Sequence, residues 1–461
     1  MRFWFLCLAM MLTGCKLGVD YRRPDLRVPS GWRWKTPEPK DHVPRGSWWT
    51  VFGHPVLDTL QQQAAAGNLD LQAAMARVEQ SRATARINRS DFYPSLQAQG
   101  AFARYRTSGK APSPVPFPVP SFTQQQWTTP LDLSYELDLW GRVRRSFESA
   151  QQLALGAEAA RQAALLALQA DVTATYFSLL SLDRELRILA EAIGLRKEAL
   201  QIFEQRSAAG IGNEFEVERG RVEVATAEAE LQSAQRRRAE QLNALAILCG
   251  QPPAGFEPAL AENDPRLPAI APDLPSSLLE RRPDVAQAER ELASKLAQIG
   301  VARAAAFPSV RLTANGGYLS GELSDLFLWD SRIWSIGPGL SLPLFQGGRN
   351  NANLDRAKAV YEESLANYRR KILVAFKEVE DSLAALQFLR GEVDARAQAA
   401  DAATQAARLA LARYRSGAIN FLEVLDAENA RLLNELARVR VSNEQLVATV
   451  RLIKALGGGW E

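Results

Sequence analysis

The chain has 461 residues, 47% of them hydrophobic and 23% charged, and a formal net charge of +3. This composition is typical of a folded, non-fibrous protein, and so small a net charge gives no support to nucleic-acid binding. The cysteines, Cys7, Cys15 and Cys249, and the histidines, His42 and His54, are too few for a disulfide framework or a zinc site.

The N-terminus has the form of a bacterial secretion signal. An apolar run from Phe3 to Leu12 leads into the sequence LTGC, which ends at Cys15. These residues resemble a lipoprotein signal, in which residues 1–14 are removed as a signal peptide and Cys15 receives a lipid such as palmitate. The alternative is a cysteine within a signal peptide that is cut elsewhere. Lys16 stands where inner-membrane retention requires aspartate, so the resemblance implies delivery to the outer membrane.

The first part of the mature chain is predicted to be extended. Residues 15–55 are rich in Pro and Trp and show no hydrophobic period, which indicates a lipid-anchored segment that wraps over other elements. A short helix is predicted from about Pro55 to Ala66 and is closed by Gly67. A second helix, capped by Asn68 or Asp70, is predicted to run to about Asp91.

Two stretches with alternating polarity follow Pro94. Apolar residues alternate with polar ones from Leu96 to Phe102 and again, after a Pro-rich loop, from Trp127 to Leu139. A period of two with one apolar face is typical of strands, and strands of about 9–11 residues cross a membrane in a tilted barrel. A strand of a soluble sandwich would show the same pattern.

From Gly141 the apolar spacing changes to that of a long helix. Apolar residues recur every seven positions at Leu165, Val172, Leu179, Leu186, Ile193 and Leu200. Such a repeat lets two helices coil around each other with one seam facing the partner. Because no proline occurs from residue 141 to 209, this helix would be about 100 Å long. A turn at Gly210 and Gly212 leads into a second helix that ends at Gly250.

The chain then repeats the same order of elements. After a Pro-rich linker at 251–275, the predicted elements are a helix over 284–304, strands over 310–318 and 334–344, and a long helix from residue 348. Apolar residues seven apart flank its turn at Leu365, Ile372, Val379, Leu386 and Val393 and at Leu425, Leu432, Val439, Leu446 and Ile453. We therefore predict a tandem repeat, with one copy at 56–250 and the other at 276–461.

The turn of the second copy carries the residues with the strongest functional pattern. It lies at Gly417 within the sequence RYRSGAINFLEVLD, which runs from Arg413 to Asp426. Glu423 and Asp426 are three residues apart and therefore share one helix face. In a single chain they would be ordinary solvated carboxylates. In a symmetric ring of chains they would form two stacked rings of negative charge.

Four strands per chain leave two open sheet edges, which lipid cannot satisfy. No run after the signal approaches the ~18 apolar residues of a membrane helix, so we expect strands to make the membrane crossing. Three chains would supply twelve strands, within the known range of barrels, in a cyclic arrangement. The predicted fold is mainly α with membrane β: a trimeric 12-stranded β-barrel continued by a long α-helical coiled-coil periplasmic tunnel.

Several motifs together resemble one family. They are the lipoprotein signal at Cys15, the sequences FYPS at 92–95 and AFPS at 306–309, the helix starts Gly-Arg at 141–142 and 348–349, the turn sequence RYRSG followed by LEVLDAE, and the terminal ALGGGW. These motifs, which extend over residues 8–461, resemble the outer membrane factors. That family comprises the TolC-like exit ducts, and the lipoprotein branch includes the OprM and NodT groups.

The resemblance implies a function as well as a fold. It implies a homotrimeric, lipid-anchored exit duct in the outer membrane of a Gram-negative bacterium. Together with an inner-membrane efflux pump and a periplasmic adaptor protein, such a duct expels drugs or other small toxic compounds. It is a passive gated channel and not an enzyme, with no cofactor besides the covalent lipid on Cys15. The adaptor is expected to contact the hairpin tips, which are Gly210, Ile211, Gly212, Ser416, Gly417 and Ala418.

The resemblance also assigns a periplasmic gate. Glu423 and Asp426 match the two acidic positions of the family's tunnel constriction, and Tyr414 matches a tyrosine that ties the closed end together. Toxin-exporting members have an arginine where Ile419 stands in this chain. In place of their tyrosine–arginine latch, another bond or apolar packing must hold the closed end. Inter-chain bonds from Tyr414, Arg413 or Arg415 are the candidates.

Four other functions compete with this interpretation. No nucleophile elbow, phosphate loop or metal cluster in the sequence supports an enzyme. A structural coiled-coil lipoprotein would account for the seven-residue repeats but not for four alternating strands. Within the duct interpretation, metal-ion efflux and protein or peptide secretion remain alternatives, although Met75 is the only methionine after the signal and gives no thioether series for copper.

Overall fold

The fold is described from a computed structural model. It describes residues 16–24, 31, 33, 46–110, 120–260, 265–268 and 281–458. The predicted signal peptide and Cys15 lie outside the described residues, as do Trp32, Trp34 and part of the predicted linker at 251–275.

Helices make up most of the described chain. They are α1 (Pro55–Gly67), α2 (Leu69–Ser90), α3 (Arg142–Ala208), α4 (Glu214–Leu248), α5 (Pro283–Ala304), α6 (Arg349–Arg415) and α7 (Phe421–Ala455). The tandem repeat is evident in their lengths, because α3 and α6 have 67 residues each, α4 and α7 have 35, and α2 and α5 have 22. Each of these helices was predicted from the sequence.

The seven-residue apolar positions point into the packed helices, as their spacing predicts. Val172 and Leu179 of α3 and Val379 of α6 are fully buried, and Ile453 of α7 is also fully buried. These side chains form the seams along which the long helices pack. Burial of this kind, rather than intrinsic helix propensity, stabilises most helices in proteins.

Asn68 joins the ends of three helices. Its side-chain oxygen accepts a hydrogen bond from the backbone N–H of Leu71 (2.9 Å), which caps α2 directly after α1 ends. Its side-chain amide donates to the carbonyl of Leu248, the last residue of α4 (3.0 Å). The backbones also meet closely here, since a Cβ placed on Gly67 would lie 2.5 Å from the carbonyl oxygen of Cys249. Burial raises the pKa of the Cys249 thiol to about 11, so this cysteine is a neutral packing residue.

One helix is apolar enough, by length and composition alone, to resemble a membrane span. An 18-residue window of α3 has a mean hydropathy of 1.4. Polar residues such as Gln169, Asp171 and Thr173 divide the apolar part of this helix, so it does not contradict the prediction that no run of about 18 apolar residues follows the signal. Because 44% of this window is buried within the chain, its apolar residues are also accounted for by helix packing.

The predicted extended segment contains one helical turn. Residues Trp48–Phe52 form a short 3₁₀ helix, in which both terminal side chains are buried. The indole of Trp48 donates a hydrogen bond to Gln169 (3.2 Å), and Phe52 packs edge-to-face on Phe177 with ring centroids 4.9 Å apart. Packing against α3 therefore orders a stretch that has no hydrophobic period of its own.

The strands form one antiparallel sheet. They are β1 (Ser95–Ala98), β2 (Ala101–Arg106), β3 (Thr123–Leu137), β4 (Ser309–Ser320) and β5 (Arg332–Ser341). Both β1 and β2 pair with β3, so they act as one strand interrupted at Gln99 and Gly100. The four predicted strand positions are present. The predicted end of the last strand at Leu344 was wrong, because Pro343 has no N–H to donate to a sheet.

The two faces of the sheet differ in polarity over most of the register, with exceptions such as Arg104 on the apolar face and Ile333 on the polar face. On one face Leu131 lies opposite Gly316, which lies opposite Trp334, and the next row on this face is Leu133, Ala314 and Ile336. Trp334 and Ile336 are 79% and 68% exposed in the single chain. The other face carries rows of polar side chains, such as Asp132 opposite Asn315 and Glu136 opposite Arg311. The sheet is thus mainly apolar on one face and mainly polar on the other.

The chain divides into two compact units, and each unit draws on both repeats. One unit contains residues 1–24, 77–157 and 288–368, and includes the whole sheet. The other contains residues 25–76, 158–287 and 369–461, and includes both helical hairpin turns.

Candidate functional site at the hairpin turns

Each long hairpin turns at a glycine in the left-handed backbone region. Gly210 has φ +72° and Gly417 has φ +77°, conformations that residues with a Cβ rarely adopt. The next helix begins in both cases after an asparagine whose side-chain oxygen accepts a backbone N–H, Asn213 before α4 and Asn420 before α7. These glycines and caps are the local reason that the long helices reverse at these points.

The predicted adaptor-contact residues lie at these two turns. Gly210, Ile211, Ser416, Gly417 and Ala418 are exposed, and Gly212 is half-buried. On the first turn Ile211 is 71% exposed, and the nearby Phe215 is 61% exposed. The first turn therefore presents large apolar side chains to its surroundings.

The two predicted gate carboxylates lie close to the start of α7. Both Glu423 and Asp426 are exposed in the single chain. The backbone N–H of Glu423 donates to the side chain of Asn420 (3.2 Å). Asp426 accepts a hydrogen bond from Arg219 of α4 at 3.4 Å, so its carboxylate is tied to the other hairpin.

Tyr414 is also tied to the other hairpin. A guanidinium nitrogen of Arg206, near the end of α3, donates a hydrogen bond to the Tyr414 hydroxyl (3.0 Å). The Tyr414 ring packs edge-to-face on Phe421 with centroids 5.3 Å apart, and Phe421 packs in the same way on Phe203 at 4.4 Å. The structure thus places Tyr414 at a contact between the two hairpins of one chain.

A second polar cluster, centred on Arg196, joins three helices. It was not predicted from the sequence. Arg196 of α3 donates hydrogen bonds to the carbonyl of Glu223 (2.9 Å) and to the side chain of Asn429. Asn429 of α7 in turn donates to the Glu223 carboxylate (3.3 Å). With Arg206–Tyr414 and Arg219–Asp426, this cluster gives three polar links between the hairpin α3–α4 and the hairpin α6–α7.

Arg221 differs from the linking arginines, because its ion pairs lie within the first hairpin. Arg221 of α4 bonds Glu218 (2.7 Å) and Glu204 of α3 (3.2 Å), which both belong to the first hairpin. The hydrogen bond that Arg221 donates to Glu204, together with the charge of Glu218, raises the pKa of the Arg221 guanidinium. Arg221 therefore carries the same charge as the linking arginines and lies two residues from Arg219, but its ion pairs with Glu204 and Glu218 stay within the first hairpin.

The tandem repeat could have predicted the contact made by Arg219, a residue that was not identified from the sequence. Arg219 and Asp426 are 207 residues apart, the same separation as between the turn residues Gly210 and Gly417. Equivalent positions of the two copies therefore carry opposite charges and meet. Arg206 and Tyr414, 208 residues apart, are not equivalent positions, so the repeat alone does not pair them.

Comparisons with known proteins agree on one family. The family described as "Outer membrane efflux protein" matches residues 60–251 and 274–458. The chain is similar to outer membrane protein OprJ of Pseudomonas aeruginosa, with 36% identity over 99% of this chain and 95% of that protein. It is similar to the cation efflux system protein CusC of Escherichia coli O6:H1, with 32% identity over 99% of this chain and 98% of that protein. Among solved structures, the outer-membrane channel OprN has a TM-score of 0.89 and 31% identity, covering 97% of this chain and all of that one.

Proposed function

Because this chain belongs to the outer membrane efflux protein family, it is an outer-membrane exit duct of a tripartite efflux system and not an enzyme, and we propose that three copies assemble to form it. The sheets of the three copies would close into one barrel of twelve strands, and their long helices would line a tunnel. The observation that carries the proposal is the sheet, which one chain leaves open at both edges.

Within the described residues, both outer edges of the sheet lack a strand partner. These edges are β5 on one side and the interrupted strand β1–β2 on the other. Unpaired backbone groups are not tolerated in lipid, so a membrane sheet has to close on itself or on copies. The apolar face, with Trp334 and Ile336 largely exposed, has the polarity of a lipid-facing surface. Edge-to-edge pairing of three copies satisfies both requirements.

A lipid on Cys15 fits the docking of the residues that follow it. The N–H of Leu17 donates to the carbonyl of Trp140 (3.2 Å), and Lys16 forms an ion pair with Glu148 at 3.1 Å. Lys16 also packs on Gly141, directly between the end of β3 and the start of α3. A lipid attached to the preceding residue would therefore emerge beside the end of a membrane strand, at the height of the bilayer surface.

We expect mass spectrometry of the purified N-terminal peptide to show Cys15 as the first residue, carrying lipid. Cys15→Ala should abolish this modification while leaving the trimer folded, because the apolar sheet face inserts on its own. Cys249→Ala is the control and should leave the lipid in place, since this thiol is buried. An unmodified Cys15 thiol in wild-type protein would show that the signal is cut elsewhere.

The gate is proposed to lie at the start of α7. In a trimer Glu423 and Asp426 would each contribute three carboxylates around the tunnel axis. Such rings attract cations and repel anions, as charged rings do in channels. The two hairpin turns would contact the periplasmic adaptor, for which the exposed Ile211 and Phe215 offer apolar surface. Adaptor binding would bias the hairpins towards an open arrangement without any chemical step.

The assembly and the gate are tested together by single-channel recording in planar bilayers. Wild-type protein should form discrete, cation-selective channels, and native mass spectrometry should show three chains. Replacing both Glu423 and Asp426 with Ala should reduce cation selectivity and weaken block by multivalent cations. Glu216→Ala is the matched control, because Glu216 lies 207 residues before Glu423 at the equivalent position of the first hairpin.

Two outcomes would contradict these proposals separately. A stable folded monomer would rule out closure by three copies. A trimer in which the Glu423→Ala/Asp426→Ala variant keeps wild-type selectivity and block would place these carboxylates outside the tunnel. The cargo is proposed to be drugs or other small toxic compounds, and the similarity to CusC keeps cations as the alternative cargo.

A further inference from the structure

An apolar cavity lies between the two hairpins, next to the turns. Its volume is about 290 Å³, and its walls come from α3, α4, α6 and α7. Phe203, Val424 and Leu432 in the wall are almost fully buried, whereas Leu195 and Ile202 are about half exposed at its mouth. The cavity is therefore an apolar chamber with an opening to the outside of the chain.

Four polar groups that line the cavity have partners within the chain. Arg196 and Glu223 bond each other and Asn429, as described above. The Tyr414 hydroxyl accepts from Arg206, and Glu428 accepts from Arg431 (2.7 Å). The two remaining charged side chains of the lining, Glu198 and Arg415, are exposed, so the buried part of the wall offers mainly apolar surface to a ligand.

Aromatic rings shape the end of the cavity that is nearest to the turns. Phe421 lies between Phe203 and Tyr414, with interplanar angles of 77° to the first ring and 72° to the second. Aromatic rings prefer such edge-to-face arrangements, so a third ring entering the cavity finds both faces and edges available. A closed apolar cavity of about 150 Å³ has room for benzene, so the volume of this open cavity accommodates one aromatic ring.

We propose that this cavity is a binding site for a small, uncharged aromatic molecule. Such a ligand would contact both hairpins at once, and so it would stabilise the arrangement in which they are linked. The walls of the binding site come from one chain. Its effect on opening rests on the function proposed above.

Binding is tested directly with a probe that can be located. Crystals of the full-length protein soaked with bromobenzene should show an anomalous bromine peak between Phe203 and Phe421. In solution, fluorobenzene should bind the amphipol-solubilised protein in ¹⁹F NMR titrations. Ala199→Phe places a ring inside the cavity, since Ala199 lines it. This variant should lose the bromine peak and bind fluorobenzene at least about tenfold more weakly, a loss of about 1.4 kcal/mol.

The matched control is Ala190→Phe, which adds the same ring to an exposed position of the same helix. This control variant should keep the anomalous bromine peak and the wild-type affinity for fluorobenzene. Ala192→Leu fills the cavity from another wall position and should reproduce the loss if Ala199→Phe does not fold. Equal binding by wild type and all variants would mean partition into amphipol and would overturn the proposal. So would a crystal structure in which side chains of a second copy or of another protein fill the cavity.

Discussion

A chain carrying both Arg206→Met and Arg219→Met is expected to conduct ions in planar bilayers under conditions in which the wild-type channel stays closed. These two arginines hold Tyr414 and Asp426, and thereby tie the hairpin α6–α7 to the hairpin α3–α4. Removing both donors leaves the proposed carboxylate rings and the tyrosine unchanged. The double variant therefore tests the links between hairpins separately from the charge of the gate.

The expected size of this effect follows from symmetry. The Arg219–Asp426 pair has side chains that are 35% and 71% exposed, and an ion pair this exposed contributes only about 0.2–1 kcal/mol. Each chain of the proposed trimer carries this ion pair and the exposed hydrogen bond from Arg206 to the neutral Tyr414 hydroxyl, a contact of similar size. An opening that moves all three chains together breaks all six contacts. The total of about 1–6 kcal/mol corresponds to a roughly tenfold to ten-thousandfold change in the ratio of open to closed channels.

Arg221→Met is the control for this experiment. Arg221 loses ion pairs with Glu204 and Glu218, but both partners belong to its own hairpin. Its replacement should leave the open probability at the wild-type value. If the double variant remains as closed as Arg221→Met, the contacts at Tyr414 and Asp426 do not restrain the hairpins, and the latch lies elsewhere.

The elements that could be predicted from the sequence are those with local causes. The turns at Gly210 and Gly417 follow from the conformational freedom of glycine, and the long helices follow from the seven-residue apolar spacing. The strands follow from the alternation of apolar and polar residues. The register confirms that the apolar residues predicted for β3 and β5, such as Leu131 and Trp334, share one face. The exact end of β5 depended on one residue, Pro343, that the alternation did not take into account.

The contacts that could not be predicted depend on how the helices are rotated against each other. Arg196 meets Asn429 across 233 residues of sequence, and Arg206 meets Tyr414 across 208. A heptad pattern defines which side of each helix is buried, but it does not define which polar residues at the edges of two seams face each other. The short helix at Trp48–Phe52 was missed for a related reason, because its order comes from packing on α3.

The largest loss of stability is expected when a partner of Arg282, which lies just before α5, is removed. Its buried guanidinium donates to both carboxylate oxygens of Asp284 (2.9 and 2.8 Å) and to the carbonyl of Ala455 at the end of α7 (2.9 Å), and it forms an ion pair with Glu378 of α6 (2.6 Å). One side chain therefore joins three helices. Removing the Asp284 charge leaves a buried cation undercompensated, which costs about 3 kcal/mol.

The pH dependence of this contribution has a definite sign. Burial would raise the pKa of Asp284, but the hydrogen bonds and charge of Arg282, and then the charge of Lys371, outweigh it and hold the pKa below its ordinary value of 3.8. A group whose pKa is lower in the folded state binds its proton more readily when unfolded. Its contribution to the free energy of unfolding is therefore full above about pH 4 and is lost as the pH falls through the folded pKa.

Asp284→Asn is expected to lower the thermal unfolding midpoint at pH 7 by several degrees, with the difference from wild type shrinking below about pH 4. Asp355→Asn is the matched control, since the Asp355 side chain is 72% exposed and pairs with Lys358, three residues further along α6. Its cost should stay below about 0.5 kcal/mol. The double variant Arg282→Met/Asp284→Leu removes both charges and should recover part of the loss, because a buried ion pair is often replaceable by apolar side chains of similar size. An Asp284→Asn cost that equals the Asp355→Asn cost, or that does not change with pH, would mean that the Arg282 cluster packs the helices together by shape and not by charge.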